Sequence, residues 1–333
     1  MKKILALLLA LWIPAAVLSG CAPQDDSAAS NKLNIVTTIF PAYDWVREIL
    51  GDETDRAEIT TLLDSGVDLH SYQPTVDDIV KISDCDLFLY VGGESDGWVE
   101  DALKNAPNKD RKVIRLLDVL GDSAKAEETV EGMQEEEHGH EEEEHDHEEE
   151  AEYDEHIWLS LKNAQVLVAA ISEALQETDP ARKDTYAANA AAYAEKLSAL
   201  DGEYRAAVDS GKYKTLLFGD RFPFRYLADD YGLDYYAAFP GCSAETEASF
   251  ETVSFLAGKM DALGLPCVLT IEGTQHKIAE TVVQNTAQKN QQILTMDSMQ
   301  AVTANDASSG VSYLSIMEKN LSVLKKALGQ EAE

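Results

Sequence analysis

Two similar α/β lobes with mainly parallel sheets, joined by one long rigid helix, are the architecture this sequence predicts. Three observations carry the prediction. Short apolar runs alternate with amphipathic helical stretches in both halves, the pattern of strands and helices in a parallel sheet. Between the halves, Ala181 to Ser210 is an uninterrupted Ala-rich helical pattern. The roughly 300 residues beyond the N-terminal segment exceed what one core usually organises and suit two domains.

The elements follow in order. Leu33 to Phe40 is an apolar, β-branched run and reads as a buried strand, with a helix from Pro41 to about Leu50. Ile59 to Leu63 is a second short strand. Thr75 leads a helix through Ser83, with Pro74 before it as a start signal. Asp86 to Val91 is an apolar strand ended by Gly92-Gly93. Val99 to Asn105 is helical, and Lys112 to Leu116 reads as a strand. Helical periodicity resumes from Ile157 to Glu177, and Asp179-Pro180 marks the start of the long helix. The second half places strands at Thr215–Phe218, Leu233–Phe239, Cys267–Ile271 and Ile293–Met296. Its helices fall at Phe224–Tyr231, Phe250–Leu263, Ile278–Lys289 and Tyr313–Leu328. The expected organisation is a first lobe over 33–178, a linking helix over 179–211 and a second lobe over 212–330.

One stretch breaks the alternation. From Gln134 to Glu155 there are fourteen acidic residues, four histidines (His138, His140, His145, His147) and no basic residue. Such composition cannot bury enough apolar surface to pack, so 127–155 reads as a disordered acidic, His-rich loop.

At the N-terminus, Lys2 and Lys3 precede an apolar run from Ile4 to Leu18. The run suits a signal-peptide core and is short of the roughly 20 residues a spanning helix needs. Leu18-Ser19-Gly20-Cys21 resembles a bacterial lipobox, implying removal of 1–20 and acylation of Cys21. Residues 21–32 then read as the lipidated cysteine and a flexible tether. The expected location is extracytoplasmic, anchored by lipid to the bacterial cell membrane.

The formal net charge is -34, which repels nucleic acid and attracts cations. After lipidation Cys85, Cys242 and Cys267 remain. An oxidising exterior permits one disulfide, and Cys242 with Cys267, both in the second half, is the expected pair.

His70, His156 and His276 lie outside the acidic run, in loops beside strand or helix ends, where parallel sheets place ligand groups. Imidazole is a borderline base suited to zinc and its neighbours. The stretch from His70 through Pro74-Thr75, Asp78-Ile79, Val91-Gly92 and Trp98, and then His156-Ile157-Trp158-Leu159, resembles the metal-binding solute receptors of bacterial ABC transporters. So do Tyr231-Gly232-Leu233, Ile271-Glu272-Gly273, Asp297-Ser298 and Asn320-Leu321, in that order. The resemblance covers nearly all of Asn34 to Leu328, and an acidic His-rich insert before the second histidine is typical of its zinc branch.

The resemblance implies a metal site in the cleft between the lobes, with two side chains from each. His70 and His156 match the first pair, and Asp297 matches the last, carboxylate ligand. At the third position zinc members present histidine and manganese members glutamate. This chain reads Phe218-Gly219-Asp220-Arg221-Phe222 there, with Asp220 the nearest match and His276 the rival. It also implies delivery of the bound ion to an ABC permease and its ATPase, with the receptor a monomer. Two imidazoles and two carboxylates accept Zn2+ or Mn2+. The acidic loop favours Zn2+, and its histidines read as weak metal collectors. A manganese or iron receptor, an envelope metal buffer and an adhesin are the competing readings. A zinc hydrolase would need an open coordination position and a general base such as an H-E-x-x-H helix. The sequence has no such motif, so no enzyme is expected.

Overall fold

The computed structural model describes residues 32–104, 106–134, 152–243, 247–273 and 275–330. Cys21 and the four loop histidines lie outside the described residues. In the first lobe β1 (Leu33–Thr37), β2 (Ala57–Thr61), β3 (Leu87–Tyr90) and β4 (Lys112–Arg115) form one sheet. Its order is β2-β1-β3-β4, and every pairing is parallel. In the second lobe β5 (Thr215–Arg221), β6 (Asp234–Phe239), β7 (Cys267–Ile271) and β8 (Gln292–Met296) repeat the plan. The order there is β6-β5-β7-β8, again all parallel. The strand positions expected from the apolar runs are met within a few residues.

The helices are α1 (Phe40–Leu50), α2 (Val76–Asp84), α3 (Val99–Lys104), α4 (Leu116–Leu120), α5 (Leu161–Thr178) and α6 (Lys183–Ser210), then α7 (Arg225–Tyr231), α8 (Phe250–Leu263), α9 (Lys277–Asn285), α10 (Ala304–Ser308) and α11 (Tyr313–Ala327). Among the described residues none is long and apolar enough to cross a membrane. The helical pattern from Ile157 begins as a single 3-10 turn, Ile157–Leu159, before Ser160 caps α5.

The 28 residues of α6 extend about 42 Å at 1.5 Å per residue. Its buried side chains include Tyr186, Ala190, Tyr193, Leu197, Leu200, Tyr204 and Ala207, with Val208 beside the last. Alternating steps of four and three keep them on one narrow stripe. That stripe touches both lobes. Asn189 Nδ2 donates to Ile49 O of α1 at 3.0 Å, and Tyr204 OH donates to Met317 O of α11 at 2.7 Å. One apolar cluster runs from Ile35 and Phe88 through Tyr193 and Tyr204 to Phe218 and Leu328. A second, around Leu217, Leu256 and Val282, covers the far face of the second sheet. The sequence reading gave each half its own core. Instead the lobes share one, because the buried stripe of the linking helix and the buried face of α11 each pack against elements of both lobes.

Asp44 adds a polar tie. Its carboxylate is buried and accepts the N–H of Tyr313 at 2.8 Å, at the first turn of α11. Burial pushes this carboxyl up to about 6. The native state therefore holds a proton that the unfolded chain releases near pH 4. The associated stability is present below the unfolded pKa and is lost as pH rises through 6. Asp44→Asn is expected to raise stability at pH 7 by on the order of 2 kcal/mol and to give no gain near pH 4. Denaturant melts at the two pH values check this, and an equal shift at both would contradict it.

A parallel sheet brings the C-terminal ends of its strands to one edge, where loops carry ligand groups. His70 follows β2, Ser95 follows β3, Cys242 follows β6, Glu272 follows β7 and Asp297 follows β8.

Candidate metal centre

The loop bearing His70 is locked at both ends. Asp68 accepts the His70 N–H at 3.0 Å and starts the 3-10 turn Leu69–Ser71. Beyond it, Tyr72 OH donates to Asp78 at 2.9 Å, and Asp78 completes a reciprocal cap with Thr75 at the start of α2. Two donors of the first helical turn are satisfied in this way.

His156 is fully buried, and its Nε2 lies 3.2 Å from Nε2 of His70. Two nitrogens bound tetrahedrally to one zinc ion at about 2.05 Å stand about 3.3 Å apart. The pair is therefore already spaced for a shared ion. Burial and the neighbouring His156 push His70 down to about 3, so it is neutral near pH 7. The neutral imidazole is the form that ligates a metal ion.

The two residues before His156 hold both rings. Asp154 Oδ1 lies 3.0 Å from His156 Nδ1 and accepts the His156 N–H at 2.8 Å. Glu155 Oε2 lies 3.3 Å from His70 Nδ1, while its Oε1 accepts the Ser95 N–H at 2.8 Å. Ser95 Oγ is 2.9 Å from the same His70 Nδ1. With both Nδ1 atoms engaged, both Nε2 atoms face one point, the arrangement by which carboxylates orient metal-bound histidines. Gly93 makes room for it. A Cβ there would come within 2.1 Å of Glu155 Oε1.

A third donor completes the point. Among the described residues, ligand atoms of His70, His156 and Cys242 all lie within 4.8 Å of one another. Gly241 lets the Cys242 turn approach, since a Cβ there would lie 3.2 Å from His156 Nδ1 and 2.9 Å from Phe222 O. Burial, and then Asp154 and Glu127, push the Cys242 thiol well up, so without an ion it keeps its proton. A dication held here would reverse this balance and favour the thiolate.

This arrangement corrects the expected disulfide and does not bring the two expected carboxylates to the imidazole pair. Cys242 and Cys267 form no disulfide. Both are free thiols, one beside the histidines and the other buried in β7. Asp220 and Asp297 stand outside the converging set. Asp220 turns toward β7, where Oδ2 accepts the Ile271 N–H at 3.3 Å. Successive strand residues face opposite ways, so Arg221 points across the cleft instead. Its guanidinium pairs with Asp68 of the first lobe and reaches Ser243 O at 3.4 Å. Burial works to raise the Asp68 carboxyl, but Arg221 overrides it and holds it low. Asp297 caps the Met299 N–H at 2.8 Å, and burial with neighbouring Glu272 lifts its carboxyl to about 6.

His276 also lies outside the converging set. It is the N-cap of α9, with a left-handed backbone. With Asp220, Glu247 and Glu272 it lines a cavity of about 570 Å³ that shares Asp68 and Arg221 with the rim of the site.

The lobes are stitched beside this point. Trp158, two residues past His156, donates from Nε1 to Ser298 O at 2.8 Å. Its own carbonyl accepts from Tyr313 OH at 2.7 Å.

Two parallel α/β lobes on one backbone helix, with a buried imidazole pair where they meet, define the class: a helix-bridged, two-lobed binding protein. Residues 35–327 match the family model described as zinc-uptake complex component A, periplasmic (ZnuA), and the chain belongs to that family. It is 34% identical over 331 residues to the zinc-binding lipoprotein AdcA of Streptococcus pneumoniae, spanning 99% of this chain and 62% of that protein. It thus matches less than two thirds of that relative's length. It is 31% identical to the high-affinity zinc uptake system protein ZnuA of Bacillus subtilis, over 90% of this chain and 88% of that one. The Zn(II)-bound ZnuA-like domain of pneumococcal AdcA superposes with a TM-score of 0.68 at 30% identity, covering 90% of this chain and 100% of that domain.

Proposed function

We propose that this chain is an extracytoplasmic receptor that captures zinc and hands it to a membrane ABC permease. The observation that carries the reading is the convergence of His70, His156 and Cys242 on one point. Two neutral imidazoles and a thiolate make a borderline-to-soft donor set. It suits zinc and disfavours manganese, which prefers oxygen ligands. The fourth tetrahedral position is left to water or to a group from the permease at hand-over. Asp154 and Glu155 are occupied in orienting the rings, so a binding role, not hydrolysis, is assigned. Acylation at Cys21 would keep the receptor beside its permease.

On this reading the Cys242 thiol must lose its proton on loading, whereas neutral imidazoles and ionised carboxylates lose none. Calorimetric zinc titration in buffers of different ionisation enthalpy is expected to show about one proton released per tightly bound ion at pH 7. Tight binding with no proton release, or manganese bound as tightly as zinc, would contradict the reading. In the same titration, deleting 136–150 is expected to remove weaker binding equivalents and leave the tight one.

A further inference from the structure

The acidic insert was expected to be free of the body from residue 127. Its described stem is not. After α4 the chain leaves the first lobe and lies along the second. Lys125 pairs with Asp229 at 2.8 Å, and its N–H donates to Tyr226 OH at 2.9 Å. Glu128 meets Arg225 at 3.2 Å, and Glu131 meets Lys259 at 2.8 Å. Gln134 N–H donates to Ala238 O at 2.9 Å, and its side chain accepts the Ser249 N–H at 2.8 Å. The returning strand closes the stem, since Glu127 N–H donates to Glu152 O at 2.8 Å just before Asp154 and Glu155. Specific pairing with Arg225 and Lys259 is the physical reason that composition misjudged these residues.

One contact of the stem reaches the site. Cys242 N–H donates to Glu127 Oε1 at 2.8 Å. Cys242 sits in the turn after β6, between Gly241 and Ser243. We infer that residues 125–134 form a positioning strap that holds the Cys242 turn against the histidine pair, with Glu127 as the residue that fixes the thiol. The insert thereby joins the two lobes at the metal centre, since its far end carries Asp154 and Glu155 to the two imidazoles. Glu127 touches no ion and acts through Cys242. The inference rests on Cys242 being a ligand, as proposed above.

The test separates reach from charge. Glu127→Gln keeps the length and an accepting oxygen. Glu127→Asp keeps the charge and withdraws the oxygen by one methylene. Each full-length variant is loaded with Co(II), and the thiolate-to-cobalt charge-transfer band is recorded beside zinc affinity measured by chelator competition. Glu127→Asp is expected to weaken zinc binding by about tenfold, the lower end for an outer-shell partner, and to shift or diminish the band. Glu127→Gln should stay near the unaltered chain in both readouts. Glu131→Ala, which removes only the Lys259 pair, should do the same. If Glu127→Asp matches the unaltered chain, or Glu127→Gln loses the band while Glu127→Asp keeps it, the strap role is overturned. If the unaltered chain binds tightly with no charge-transfer band, Cys242 is not a ligand and the inference falls with that premise.

Discussion

Cys242→Ser is expected to weaken zinc binding by more than about 100-fold, beyond the upper end of what an outer-shell residue commands. The hydroxyl keeps the size of the thiol but does not ionise near neutral pH, so the site loses its one anionic donor. Folding should be little affected, because serine keeps the shape of the side chain and Cys242 crosslinks nothing. Chelator competition measures the loss, and thermal melts of the ion-free protein confirm that the variant folds. Asp220→Asn and Asp297→Asn form the contrast. Both carboxylates serve backbone N–H groups, at Ile271 and Met299. Their amides should leave affinity within about tenfold, below the effect of losing a ligand. A weak effect at Cys242 with a large one at Asp297 would restore the carboxylate ligand that the resemblance implies.

His156→Ala should be more damaging still, because it removes a ligand and disturbs the ion-free fold. The ring lies between His70, Asp154 and Trp158, with no exposed surface. Its loss leaves the buried Asp154 carboxylate without its ring partner, a cost of about 1–3 kcal/mol, and opens a cavity beside Trp158. Tight zinc binding is expected to vanish, and the ion-free melting temperature should fall by several degrees. His70→Ala should abolish tight binding as well. Its smaller stability cost separates the two, since Glu155 keeps the Ser95 N–H when the ring is gone. Equal melting temperatures for the two variants would contradict this ordering.

Much of the fold was legible because its signals are local. Apolar runs of four to seven residues marked the strands of both sheets, and the α6 stripe is periodic in the sequence itself. His70 and His156 were legible for a related reason. Each sits in a loop just past a strand or before a capped helix, and each carries recognisable neighbours. Cys242 was not legible. It comes from a turn after β6, no fixed spacing links it to either histidine, and a cysteine in a chain expected to be exported suggests a disulfide first. Two signals pointed to it all the same. Beyond Cys21 the chain has three cysteines, an odd number that leaves at least one unpaired, itself a mark of a free thiol. The stretch expected to carry the third ligand offers Arg221 beside Asp220, a cation that closes a salt bridge across the cleft. The work of Asp154 and Glu155 was hidden by composition, since they end a run of acidic residues and look like part of it. Only the fold separates carboxylates that orient imidazoles from those facing solvent.

The central claim is that one ion is held by two imidazoles and one thiolate. Zinc K-edge X-ray absorption on the loaded protein tests it most directly. The expected spectrum has one sulfur at about 2.3 Å and a light-atom shell at about 2.0–2.1 Å with two imidazole scattering patterns. A first shell of nitrogen and oxygen alone would contradict it, and would return the third position to a carboxylate.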